Sequence, residues 1–140
     1  MTEIERLLIR QECERLVALY CVLYDKGDFD AFAELWAEDG VWGSSAAPLS
    51  GKAAIKANLA TRSKANIIRH VSTNCVVDVV DADHAEGISY FTLYRGAPGE
   101  GGAPGKLVQP DGVGRYFDRF VRTADGWRFA ERQVELNLRA

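Results

Sequence analysis

Acid–base chemistry near neutral pH is most simply done by imidazole, and this chain has two of them, His70 and His84. His84 ends the polar run Asp81-Ala82-Asp83-His84, which reads as a turn. His70 lies in Arg69-His70-Val71-Ser72-Thr73-Asn74, at the start of a predicted strand, and is the candidate base. One strand histidine proves little, so it needs partners. Asp25, near the end of the first predicted helix, is one candidate. Bonded to one ring nitrogen, it would set the tautomer and stabilise the imidazolium formed at the other. The plainer alternative is a solvated acid beside Lys26. Tyr20 is either a core aromatic or a hydroxyl turned into a pocket, where it would donate to a leaving group or developing oxyanion.

Other residues could shape a binding site. On strict alternation Arg132 shares a strand face with Ala130, Val134 and Leu136, an odd place for a guanidinium unless it is paired. It either binds a substrate carbonyl or forms an ion pair with Asp25 or Asp118. Trp42, Tyr90, Tyr94 and Tyr116 could line a cleft for a ring-bearing substrate, although core packing explains any one of them as well. Along 69–80, alternation puts Val71, Cys75, Val77 and Val79 on one face and His70, Ser72, Asn74 and Asp78 on the other.

Several chemistries lack support. The run Gly96–Gly105 has Glu100 and Leu107 where a phosphate-binding loop ending at Gly105-Lys106 needs glycine and Ser or Thr, and Pro104 spoils a dinucleotide fingerprint. It reads as a lid or hairpin tip. No Gly-x-Ser-x-Gly elbow occurs. With two separated histidines and no CxxC among Cys13, Cys21 and Cys75, no metal site and no cofactor is expected. A net charge of −3 with scattered basic residues argues against nucleic acid as a partner. No apolar run is long enough for a membrane span, and the N-terminus lacks a signal-peptide pattern, so a cytoplasmic location is expected.

The elements that must position these residues can be read from periodicity. Thr2-Glu3-Ile4-Glu5 is a capping-box pattern opening a helix over residues 3–26, with Ile9, Cys13, Leu16, Val17, Tyr20, Leu23 and Tyr24 on one face and Gly27 just beyond its end. Asp28 can cap a second helix from Phe29 to Trp36. A short strand Val41-Trp42-Gly43 follows, then a third helix from Ser50-Gly51 to about Arg62. Two hairpins complete the chain: His70–Val80 with Glu86–Arg95, and Gly112–Arg122 with Trp127–Leu138. Three helices followed by an antiparallel meander is an α+β arrangement in one domain, residues 1–140.

Five stretches in this order resemble the SnoaL-like branch of the nuclear transport factor 2-like superfamily. They are Tyr20 with Asp25-Lys26-Gly27-Asp28, Leu35-Trp36-Ala37-Glu38-Asp39-Gly40-Val41-Trp42, Arg69–Asn74, Gly114-Arg115-Tyr116-Phe117-Asp118-Arg119, and Asp125-Gly126-Trp127-Arg128-Phe129. The resemblance covers essentially the whole chain. It implies a cone-shaped α+β barrel, in which three N-terminal helices pack on a curved, mainly antiparallel sheet that encloses a pocket. The branch includes scytalone and bile-acid dehydratases, a hexachlorocyclohexane dehydrochlorinase, polyketide cyclases and ketosteroid isomerase-like enzymes. It also includes non-catalytic binders, so the site has to be argued from its own residues.

The resemblance assigns His70, with Asn74 four residues on, and Asp25 to a catalytic dyad, with Tyr20 assisting as in the bile-acid dehydratases. The dehydrochlorinase has Lys at the Tyr20 position, which weighs against halide elimination here. Arg132 and Trp42 match its pocket residues. The function expected is a cofactor-independent lyase acting on a small, largely apolar, cyclic or aromatic substrate, by loss of water or release of a small aldehyde. An isomerase or cyclase using the same dyad is the nearest alternative, and a non-catalytic pocket protein or oligomerisation domain the next. His70, Asp25 and Tyr20 are the expected catalytic residues and Arg132, Trp42, Tyr90 and Tyr116 the substrate-binding ones, in a homodimer or homotrimer.

Overall fold

The computed structural model describes all residues, 1–140. Helix α1 spans Glu3–Lys26, with the Thr2/Glu5 capping box formed in both directions and Gly27 closing it in the left-handed conformation at φ 75°. Asp28 caps the short helix α2, Phe29–Ala33, by accepting from the Ala31 N–H. The expected run of α2 to Trp36 stops early, because strand β1 already begins at Trp36 and continues to Gly43. Strand β2 is the two-residue Leu49–Ser50, and helix α3 covers Lys52–Leu59. Strands β3 (Ile67–Val79) and β4 (His84–Gly96) form the first hairpin, and β5 (Gly112–Thr123) and β6 (Gly126–Arg139) the second. His84 is therefore the first residue of a strand rather than part of a turn, with its ring bonded to Asp81.

The strands make one sheet in the order β2-β1-β6-β5-β4-β3. β1 runs parallel to β6 and every other pairing is antiparallel, so the meander is extended by a mixed edge that periodicity did not foresee. The sheet is curved but open, since β2 and β3 do not pair; the expected barrel does not close. Helix α1 lays its buried face, Ile9, Cys13, Leu16, Val17, Tyr20 and Cys21, across the inner sheet surface. The core continues through Phe32, Trp36, Phe120 and Phe129.

Several register shifts reset the alternation, and two of them move candidate residues. Between Thr73 and Val76 the β3 chain advances three residues while β4 advances two, and Asn74 takes a positive φ of 52°. The extra residue returns Cys75, Val77 and Val79 to the same inner face as Ile68, His70 and Ser72. Val71 is left outside and 46% exposed, along with Val76 and Asp78. The face assignment from strict alternation is therefore wrong by one residue on one side of Asn74. A second shift, at Arg119/Phe120 against Phe129 and Glu131, gives Arg132 the face of Phe129 and Val134 instead of that of Ala130. The glycine-rich segment after β4 contains a single 3-10 turn, Glu100–Gly102; its second half packs beside Ile67 and Tyr94 and does not line the main cavity.

Candidate active site

Asp25 stands in the last turn of α1, where the helix dipole disfavours a negative charge. Its carboxylate is offset by one residue. Asp25 Oδ2 accepts the backbone N–H of His70 at 2.9 Å, and Oδ1 lies 2.6 Å from His70 Nδ1. Only 9% of the His70 side chain and 12% of the Asp25 side chain is exposed, so the pair is largely shielded from water. An ionised carboxylate can only accept, so Nδ1 carries the hydrogen and the lone pair is on Nε2. The residues far apart in sequence thus meet, and the alternative of a solvated Asp25 is ruled out.

His70 lines a cavity of about 550 Å³ between helices and sheet, within the ~300–1,000 Å³ usual for small-molecule sites. Its walls are mostly apolar and include Tyr20, Trp42, Phe91, Leu93 and Tyr116. Asp25 does not reach the cavity; it holds His70 from behind. With Nδ1 engaged, Nε2 is the nitrogen left for a ligand.

Tyr20 is buried at the back of the same cavity, its ring 5.8 Å from the His70 ring and nearly perpendicular to it. Trp42 Nε1–H donates to the Tyr20 hydroxyl at 3.3 Å. Burial also holds the Tyr116 phenol well above its usual range, its ring 5.3 Å from that of Tyr20. A donor aimed at the Tyr20 hydroxyl oxygen leaves its own O–H free to donate. Burial pushes the Tyr20 phenol up to about 12, although the nearby Arg132 charge and the Trp42 donor pull it down, so it is a protonated donor at neutral pH.

Arg132 is not a wall of this cavity. It is fully buried and forms a bidentate pair with Asp118, Nε to Oδ1 and Nη2 to Oδ2, both at 2.7 Å. Its guanidinium carbon lies 4.3 Å from the Tyr20 ring centroid, 4.0 Å from that of Tyr116 and 4.6 Å from that of Phe129. The expected substrate contact is replaced by a cation stacked behind the two tyrosines. Burial pushes the Asp118 carboxyl up and Arg132 pulls it back; the fork-on-carboxylate geometry is that of the ionised pair. Tyr90 is also misplaced as a binding residue. It is 45% exposed on the outer sheet face, beside Arg115, and does not line the cavity. Trp42 and Tyr116 do line it, whereas Tyr94 packs near the glycine-rich segment.

Two of the cavity residues that the sequence reading did not single out bear on its chemistry. Tyr24 follows Tyr20 by one helical turn and so shares its face, a spacing that could have flagged it; its ring lies 5.2 Å from that of His70. Arg62, at the cavity mouth beyond α3, had no sequence signal. No group of three or more His, Cys, Asp or Glu side chains is placed to hold a metal ion.

Solved structures resemble the chain over nearly its whole length. An NTF2-like protein with a cystatin-like fold from Novosphingobium aromaticivorans is 30% identical, with 94% of this chain and 84% of that one covered and a TM-score of 0.78. A protein provisionally described as a scytalone dehydratase from the same species is 21% identical, covering 99% and 91%, with a TM-score of 0.79. The hexachlorocyclohexane dehydrochlorinase LinA-type3 from Novosphingobium barchaimii LL02 is 19% identical, covering 99% and 93%, with a TM-score of 0.80. At these last two identities the likeness is one of fold. No curated protein matches by sequence. The model of the SnoaL-like domain matches residues 5–133, and the chain accordingly belongs to the SnoaL-like family.

Proposed function

We propose that this protein is a lyase that eliminates water from a small cyclic or aromatic substrate without the help of a cofactor. The observation that carries this reading is the Asp25–His70 pair, in which both carboxylate oxygens bind one residue and Nε2 is left for the cavity. In the step envisaged, Nε2 takes a proton from an acidified carbon and Asp25 stabilises the imidazolium. The C–H electron pair becomes the new C=C bond as the neighbouring C–O bond breaks. Tyr20 donates a hydrogen bond to the departing oxygen, and Arg132, stacked behind its ring, favours the negative charge that gathers there. The proton held on His70 then leaves with the hydroxide as water. The lyase-type neighbours in fold support this reading over a purely structural role.

The test is turnover of a panel of hydroxylated aromatic and alicyclic compounds, with loss of one water followed by mass spectrometry. Folded His70→Ala and Asp25→Asn variants should each lose on the order of 10²–10⁴-fold in kcat. Unchanged turnover in both would remove the dyad from the mechanism. Products of unchanged mass would make the protein an isomerase, and no turnover by the wild type across the panel would make it a binder.

A further inference from the structure

The basic residues that line the cavity are not equivalent. His70 is matched by Asp25, and Arg95 by Asp111, whose Oδ2 lies 3.2 Å from Arg95 Nε. Arg62 alone has no acidic partner within ion-pair distance. Neutral groups hold it instead. Nε and Nη2 donate to Asn58 Oδ1 at 3.2 and 3.0 Å, and Nη1 donates to the Tyr24 hydroxyl at 3.3 Å. Three of its five N–H groups are thereby used and two remain. No carboxylate belongs to the cavity wall. A cation just past the C-terminus of α3 is favoured by the helix dipole, which explains a basic residue there. It does not explain why the guanidinium is tied down over the mouth, 5.9 Å above the Trp42 ring.

The route from Arg62 to the candidate base is short. Tyr24 touches Arg62 through its hydroxyl and stands edge-on to His70 through its ring. A ligand lying along Tyr24 and Trp42 would place one end at Arg62 and a ring near Nε2. We infer that the substrate of this cavity is a ring-bearing carboxylate, whose anionic end is bound at the mouth by Arg62 while the ring lies toward His70. The planar, two-pronged guanidinium suits a carboxylate, and the neutral scaffold of Asn58 and Tyr24 leaves its charge uncompensated until the ligand arrives. This deepens the proposed function, because it takes the same cavity to be the reaction site.

The test compares binding of 2-naphthoate with that of its neutral counterpart 2-naphthamide, by calorimetry and by quenching of tryptophan fluorescence. The wild type should bind the carboxylate about tenfold more tightly than the amide, with the gap narrowing as salt is added. Arg62→Gln should abolish the gap and Arg62→Lys should keep part of it. Arg69→Gln, which removes the same charge from the outer face, should leave it intact. Equal affinities in the wild type, no binding of either probe, or a gap that survives Arg62→Gln would overturn the inference. His70→Ala should retain the preference, so failure of anion recognition and failure of the His70 chemistry are read separately.

Discussion

At the residue scale, the site depends on which hydrogen each group keeps. Asp25 dictates that His70 carries its hydrogen on Nδ1, and the Trp42 donor leaves Tyr20 its own O–H. Tyr20→Phe should therefore remove the one donor facing the departing oxygen, with a loss in kcat on the order of 10²-fold and little change in thermal midpoint. Trp42→Phe removes a donor to Tyr20 and trims the cavity wall but keeps the Tyr20 O–H, and should cost several-fold. Steady-state kinetics and thermal melts on the two variants, side by side, check both statements. If Trp42→Phe proves the more damaging, Tyr20 is not the working donor. That His70, Asp25 and Tyr20 meet was legible in the sequence, because residue type and the family resemblance point to the same three positions. The placements of Arg132 and Tyr90 were not, because their roles depend on which way the side chain turns. A guanidinium on an apolar strand face reads alike whether it meets a substrate or a buried aspartate.

At the element scale, the bulges explain what alternation could not. Asn74 accommodates a positive φ better than most residues, and the extra residue it adds lets β3 bury Ile68 and His70 at one end and Val77 and Val79 at the other. Pattern reading has no access to a single inserted residue, so it predicted the strands well and their faces badly. The same limit hid the second shift on β6, which brings Arg132 opposite Asp118. That pairing has a testable energetic consequence. Asp118→Asn leaves a guanidinium buried without its counter-charge and should destabilise the fold by about 3–5 kcal/mol in urea denaturation. Replacing both residues with apolar side chains of similar volume should recover most of that loss. Equal loss in the single and double variants would show that packing, not charge, is what the pair supplies.

At the scale of the whole molecule, several buried weak acids respond to pH in one direction. Burial raises Tyr20 to about 12, Cys13 to about 12 and Cys21 to about 11, and it holds Tyr116 well above its usual range. A group whose folded pKa exceeds its unfolded value contributes stability that is complete below the unfolded pKa and is lost as pH rises toward the folded one. The unfolded values are 9.0 for the thiols and 10.0 for the phenols. These groups should therefore leave stability unaffected below about pH 9, with a decline from there to pH 12, thiols first and phenols after. Urea midpoints measured across that range check this, and a Cys13→Ala, Cys21→Ala variant should show a shallower slope in the lower part of it. A slope unchanged in that variant would assign the decline to the tyrosines alone.

The parallel pairing of β1 with β6 also bears on how the chain comes to be folded. Trp36 lies beside Phe129 and Trp42 beside Arg132, so the first strand made and the last are immediate neighbours. Both helical and sheet layers around Trp36 lack a wall until β6 exists. The amino-terminal third therefore keeps its largest aromatic surfaces unburied until β6 has formed, and such distant contacts form slowly. The Asp25–His70 pair joins α1 to a strand in mid-chain, but the wall against Trp36 is completed only by Phe129 on β6. The layer around Trp36 thus closes only when the last of the six strands docks beside the first.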